Sequence, residues 1–203
     1  MATTRAQPAT AADKRRLILD AAVKVFAQKG FNQARISDIA DEADISYGLT
    51  YHYFRSKDEV LDTLFLERWS VMVDVIADVD ERDTSTREKL EAVANFIIES
   101  YRHDPDLMKV IIVEVTRAAN SFGQTHIEKI TEAYNLIAGV VEKAQGAGEF
   151  RTDISPQFAA LAFYGAIEQV LTGWIFGTLD EGDQAYERAK GYVVGTIVDG
   201  LRA

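Results

Sequence analysis

Between Tyr47 and Tyr53 the chain sets Tyr47, Gly48, Leu49, Tyr51, His52 and Tyr53 within two helical turns. That is more polar aromatic surface than a short core helix needs, and phenols and an imidazole can bond to an outside partner. Lys14, Arg15 and Arg16 form a second cluster, suited either to phosphate or to a solvated helix start. Catalytic chemistry has little to work with. There is no cysteine, so neither disulfides nor thiolate metal sites arise. The three histidines, His52, His103 and His126, lack a metal-ligand spacing on one helix. No nucleophile–base motif and no phosphate loop occurs, so no enzyme activity, metal or cofactor is expected.

The elements that must carry these residues read as helix almost throughout. Leu17, Ile18, Ala21, Ala22, Val25 and Phe26 recur at helical spacing up to a Lys29-Gly30 stop. Ile36, Ile39, Ala40 and Ala43 predict a short second helix, and Asp44-Ile45-Ser46 a tight turn plugged by Ile45. Ser46 is placed to cap a third helix through Phe54, with Phe54 itself read as core. Two short helices joined by such a turn follow the helix-turn-helix plan, whose second helix enters the major groove. Ser56-Lys57-Asp58-Glu59 reads as a capping box opening a long helix to about Asp78, and Ser85-Thr86-Arg87-Glu88 as another, to about Arg102. Asp104-Pro105 and Ser155-Pro156 each set a cap before a first-turn proline. The last helix is expected from Asp183 to Gly200. The fold class is therefore all-α with about nine helices. A tail (1–12) precedes a three-helix helix-turn-helix domain (13–56), suited to DNA, and a larger helical domain (57–203).

The apolar fraction of 47% and charged fraction of 27% are those of a globular protein. The net charge of -10 divides unevenly. Residues 1–60 hold nine Lys/Arg against eight Asp/Glu, a net +1; the other 143 hold 13 against 24, a net −11. This split permits DNA contact by the first part. The N-terminus lacks the apolar core of a signal peptide, so a cytoplasmic location is expected. Phe158 to Leu179 is long enough to span a bilayer, but Glu168, Gln169 and three glycines favour a buried helix, and no membrane partner is expected.

Ile39-Ala40, Ala43, Ile45-Ser46, Gly48 and Tyr51-His52-Tyr53-Phe54, followed by Ser56-Lys57, resemble the TetR-family signature, as do Ala21-Ala22, Phe26 and Gly30-Phe31 upstream. The likeness runs without a gap over residues 13–60. It implies that Tyr47, Gly48 and Leu49 face bases, with Gly48 admitting the duplex and Leu49 meeting a thymine methyl. It assigns Tyr51, Tyr53 and Lys57 to phosphates, and brings Arg35, Ser37, Ser46 and His52 to the DNA. The chain departs from its relatives at Ala34-Arg35, where Thr or Ser is usual, at Asp44, where Gly is usual, and at Thr50, which replaces an aliphatic. Asp tolerates the left-handed conformation better than most residues, so the turn is expected to survive.

A single helix-turn-helix reads few base pairs, so a homodimer on palindromic DNA is the expected device. Gly173-x-x-x-Gly177 and Gly191-x-x-x-Gly195 let helices approach closely, and the resemblance implies that the last two helices pair with their mates. Gly165, Trp174, Val194 and Val198 complete the candidate interface. The middle helices are expected to hold an apolar pocket with a few polar anchors. Candidates are Met72, Val75, Phe96, Tyr101, Met108 and Ile112, then Phe122, Tyr134 and Phe163, with Arg102, Arg117, His126 and Glu168 as anchors. Core packing competes for every one of these aromatics. Gly148-Glu149-Phe150-Arg151-x-Asp153 before the Pro156 helix is similar to the fatty-acid-metabolism regulators of the family, which implies a lipophilic effector such as a long-chain acyl-CoA. The alternative is a small-ligand-binding helical protein that no longer binds DNA.

Overall fold

The computed structural model describes residues 10–114 and 124–203, nearly all helical. Nine α-helices are formed among them, as the periodicity predicts: α1 (Ala11–Lys29), α2 (Ile36–Glu42), α3 (Tyr47–Tyr53), α4 (Lys57–Glu81), α5 (Thr86–His103), α6 (Pro105–Lys109), α7 (Gln124–Gly146), α8 (Pro156–Ile175) and α9 (Asp183–Leu201). A π-helical turn, Val110–Glu114, continues α6. The chain forms two compact units that divide inside α4, after Leu64.

In the first unit, Ile18, Ala22, Val25 and Phe26 of α1 bury one face with Ile39 and Ala40 of α2 and Phe54. Phe26 meets Phe31 edge-on at 5.3 Å between ring centres. Leu17, which shares the helical spacing of these residues, is 43% exposed, because the buried stripe is centred on Ile18. α1 also opens inside the segment set apart as a tail. Thr10 caps it, accepting from the Asp13 amide at 3.2 Å while the Asp13 carboxylate accepts from the Thr10 amide at 2.8 Å.

The turn after α2 closes as a Schellman motif. The Ile45 amide donates to the Ala40 carbonyl at 3.1 Å and that of Asp44 to the Asp41 carbonyl at 3.2 Å. Asp44 sits at φ 50, the left-handed conformation that glycine supplies more cheaply.

In the second unit α8 packs on α7 and α5, and α9 on α5 and α8. Leu90, Ile97 and Ile98 of α5, Ile137 of α7, Phe163, Ile167 and Leu171 of α8 and Val194 of α9 form its core. Capping follows the expected residues: Ser85 with Glu88, Asp104 on Leu107, and Ser155 on Phe158. At α4 the box is displaced by one position. Ser56 Oγ accepts from the Glu59 amide at 3.1 Å, but the Glu59 carboxylate accepts from Arg55, at 2.7 Å. α4 ends pinned by lysines: Lys89 Nζ donates to the Asp80 carbonyl at 2.6 Å and Lys143 Nζ to its carboxylate at 2.7 Å.

The Gly148–Asp153 stretch is a staple for the end of α9. The Arg151 amide donates to the Leu201 carbonyl at 2.8 Å, and the Arg151 guanidinium grips Asp153 with both arms. By length and apolarity α8 meets the requirement for a bilayer span. Here its buried face, Ala160, Phe163, Ile167 and Leu171, lies in the unit's core.

Candidate nucleic-acid interface and buried polar cluster

α3 owes its existence to its cap and its anchor. Ser46 Oγ accepts from the Leu49 amide at 3.3 Å, while Thr50 and Phe54 are buried. Those two inward positions force Ser46, Tyr47, Gly48, Tyr51 and His52 outward, and all five are exposed; Leu49 and Tyr53 are half-buried at the edges. Tyr47 and Tyr51, one turn apart, form a unit: the Tyr47 hydroxyl donates to that of Tyr51 at 3.2 Å and the rings meet edge-on at 4.8 Å. That hydrogen bond raises the Tyr47 phenol above its ordinary range, so it stays protonated. His52 and Tyr53 repeat the edge-on contact at 5.2 Å. A side chain added at Gly48 would meet nothing within 4 Å, so this side of the helix is open.

Basic residues lie unevenly around this surface. Arg35 and Arg55 are exposed, and Ser37 is half-buried on α2. Arg35 caps α2 through its backbone, donating at 2.9 Å to Asp38. The Lys29 ammonium, then that Arg35 amide, hold the Asp38 carboxyl below the usual range. Arg15 lies over the Phe54 ring at 5.3 Å, and Arg16 is exposed, 4.0 Å from Asp20. Lys14 is half-buried.

Lys57 requires a correction. Its ammonium donates to the carbonyls of Phe31, Asn32 and Ala34 at 2.7, 3.2 and 3.1 Å, and stands 4.6 Å over the Phe31 ring. All three protons are spent inside the domain. Lys57 therefore clamps the α1–α2 loop to the start of α4, with no proton left over for a phosphate in the DNA-free chain.

In the second unit an aromatic chain runs through the interior. Phe65 contacts His126 (4.8 Å between centres) and Trp69 (5.7 Å); Trp69 contacts Tyr164 (5.6 Å), and Tyr164 meets Tyr134 edge-on (5.4 Å). Burial, then the nearby Glu168 carboxyl, raises the Tyr134 phenol to about 12. Burial also raises Tyr164 and pushes Glu168 toward its neutral form. Arg68, which sequence reasoning missed, lies 4.6 Å from the Phe96 ring centre. The available signal was slight, since Arg68 follows Glu67 between the apolar Leu64-Phe65-Leu66 and Trp69.

Of the expected pocket residues, Phe96, Tyr134, His126 and Glu168 join this cluster. Met72, Met108 and Phe163 are buried core side chains, and Val75 and Ile112 are half-buried. Tyr101 belongs elsewhere: it stacks at 5.4 Å on Trp174 and donates to Glu181 at 3.0 Å. Arg102 is an ion-pair residue at the α5–α9 edge, 2.6 Å from Asp183, and no pocket anchor. Arg117 and Phe122 lie outside the described residues.

The expected small-residue interface also needs correction. Trp174, Val194 and Val198 are buried within their own chain. Gly173 leaves room for Leu179, whose Cδ1 would stand 2.5 Å from an added Cβ, and Gly177, at φ 65, terminates α8. Gly195 is half-buried near Arg87 and Asp199. Gly165 and Gly191 keep open space beside them. Instead, large apolar side chains are left uncovered on α8, on α9 and on the connection between them: Phe158 (65% exposed), Leu161, Phe176, Leu179 and Tyr192 (68%).

Residues 18–64 match the family described as bacterial regulatory proteins, tetR family, and residues 65–186 the C-terminal region of YsiA-like proteins. The chain is 28% identical over 171 residues to the fatty acid metabolism regulator protein of Bacillus subtilis, covering 84% of this chain and 85% of that protein. It superposes on the fatty acid degradation regulator FadR of Bacillus halodurans with a TM-score of 0.81, at 28% identity over 97% of this chain and 99% of that one. FadR of Bacillus subtilis in complex with stearoyl-CoA has the same fold, with a TM-score of 0.77, 24% identity and coverage of 92% and 99%.

Proposed function

Because the chain belongs to the TetR family of bacterial transcriptional regulators, we propose that it is a cytoplasmic one-component repressor, bound to palindromic operator DNA as a homodimer and released by a long-chain acyl-CoA. The α3 surface carries this reading. Thr50 and Phe54 anchor the helix from below, and Tyr47, Gly48, Tyr51 and His52 face outward together. A hydrogen-bonded pair of phenols beside an open glycine suits the major groove, where base edges offer donors and acceptors. Arg16, Arg35 and Arg55 supply the sequence-independent attraction to phosphates. The uncovered face of Phe158, Leu161, Phe176 and Tyr192 supports pairing through α8 and α9, since a protein alone in solution seldom exposes so many large apolar groups together.

Release follows if the acyl-CoA prefers a state in which the two reading heads no longer match the operator spacing. The effector class is supported by the fatty-acid regulators among the similar proteins. A mobility shift on DNA upstream of the protein's own gene tests the reading. Retardation is expected, and hexadecanoyl-CoA is expected to abolish it. If no fragment from a genomic selection is retained, the chain is a ligand-binding helical protein without DNA recognition.

A further inference from the structure

The second unit contains a half-buried cation that has no ion-pair partner among the described residues. Among the described residues, Arg68 Nη2, which is sealed from solvent, has no hydrogen-bond partner, and no carboxylate pairs with the guanidinium. One face is covered by Phe96 at 4.6 Å. A guanidinium does not shed its proton in a protein, so the charge persists although burial works against it. A charged group with a sealed, unbonded nitrogen is costly for a fold to hold.

The neighbours do not relieve it. Tyr164, the phenol whose field reaches Arg68, stands between Trp69 and Tyr134 and is kept protonated by burial. Glu168 is driven toward the neutral acid. The cluster is thus rich in hydrogen-bond donors, beside an apolar core.

We propose that Arg68 is the anchor for an acidic group of the effector, so that the ligand is an amphiphile whose anionic oxygens reach this guanidinium. The inference rests on the reading of the second unit as an effector-binding part. A planar five-donor fork recognises a carboxylate or a phosphate with two parallel hydrogen bonds. The acid has two sources: the carboxylate of a free long-chain acid, or a phosphate of its CoA ester.

Binding of hexadecanoate, hexadecanoyl-CoA and hexadecanol to wild type, Arg68→Lys and Arg68→Met, followed by calorimetry and by the fluorescence of nearby Trp69, separates the outcomes. Wild type is expected to bind one acidic probe about tenfold or more tighter than the alcohol. Arg68→Met loses that margin and leaves the alcohol unchanged; Arg68→Lys falls between. The acidic probe that loses affinity identifies the source. Ligand-free Arg68→Met is expected to melt about 2–4 °C higher than wild type, since it removes a half-buried charge with a sealed, unbonded nitrogen.

Equal affinity of Arg68→Met and wild type for both acids overturns the proposal and leaves the effector reading intact. An Arg68→Met protein that melts lower and also loses the alcohol assigns Arg68 to core packing and overturns it too. If wild type binds none of the three probes, the lipophilic-effector reading fails, and this proposal with it.

Discussion

Single residues carry the departures of this chain from its relatives, and at Thr50 and Asp44 the departure has a structural cost. Thr50 stands where the family usually has an aliphatic residue, on the inward face of α3. It is fully buried, and its Oγ1 has no hydrogen-bond partner among the described residues. A buried hydroxyl without a partner loses its hydration and gains nothing in return, at about 1–3 kcal/mol. Valine has the same shape without the hydroxyl. Thr50→Val is therefore expected to stabilise the protein by about 1 kcal/mol in denaturant titration; an equal or lower midpoint would show that the hydroxyl is satisfied. Asp44 was readable for the same reason, since a turn that usually holds glycine announces its left-handed residue, and Asp44 lies at φ 50. Lys57 was not readable in this way. Its acceptors lie 23–26 positions earlier, and nothing in the local pattern says that the loop carbonyls converge on one ammonium.

At the scale of helices, periodicity identifies an apolar face but not what covers it. α8 is apolar nearly all round, which the sequence presents as burial on several sides. In the folded chain one side is core and the other is open, because Ala160, Phe163, Ile167 and Leu171 turn inward while Phe158 and Leu161 turn out. The glycine pairs misled for a related reason. Small-xxx-small spacing marks close approach of something, and at Gly173 that something is the chain's own Leu179. Caps were legible throughout, since they depend on residues within three or four positions, as at Ser46, Ser85, Asp104 and Ser155. If the open face pairs with a second copy, Leu161 is the position to test, being 52% exposed in the single chain. Leu161→Asp places a carboxylate in that contact while leaving the chain's own core untouched. The dimer is expected to weaken by roughly a hundredfold or more, about 3 kcal/mol. Sedimentation should report a folded monomer and mobility shifts a matching loss of DNA affinity. A variant that remains dimeric would place the interface elsewhere.

For the molecule as a whole, charge decides the response to pH. The chain carries -10 with a pI near 4.8, so acidification first removes the excess negative charge that repels itself. Specific carboxylates then act against the fold. Thr10 holds the Asp13 carboxyl below its ordinary range, Lys29 holds that of Asp38 and Ser85 that of Glu88. Lys190 does the same for Glu99 across the α5–α9 contact, at 2.5 Å, and Arg151 for Asp153. Each is ionised in the native state at a pH where the unfolded chain has begun to take up protons, so its stabilisation is present above the ordinary carboxylate range and is lost as pH falls through it. Glu168 has the opposite sign. Burial raises it, so its cost is felt at neutral pH and disappears on acidification. The lowered groups are expected to dominate, so that the melting temperature holds down to about pH 5 and then falls toward pH 3. Glu168→Gln should raise the melting temperature at pH 7 and leave it unchanged near pH 3, where the wild-type side chain is already neutral. Glu99→Gln should lower it at pH 7 and flatten the acid limb, because the Lys190 contact is then independent of pH. Melting curves at low protein concentration, kept away from the pI, provide the measurement. A Glu99→Gln protein with an acid limb as steep as wild type would remove Glu99 from the set that controls it.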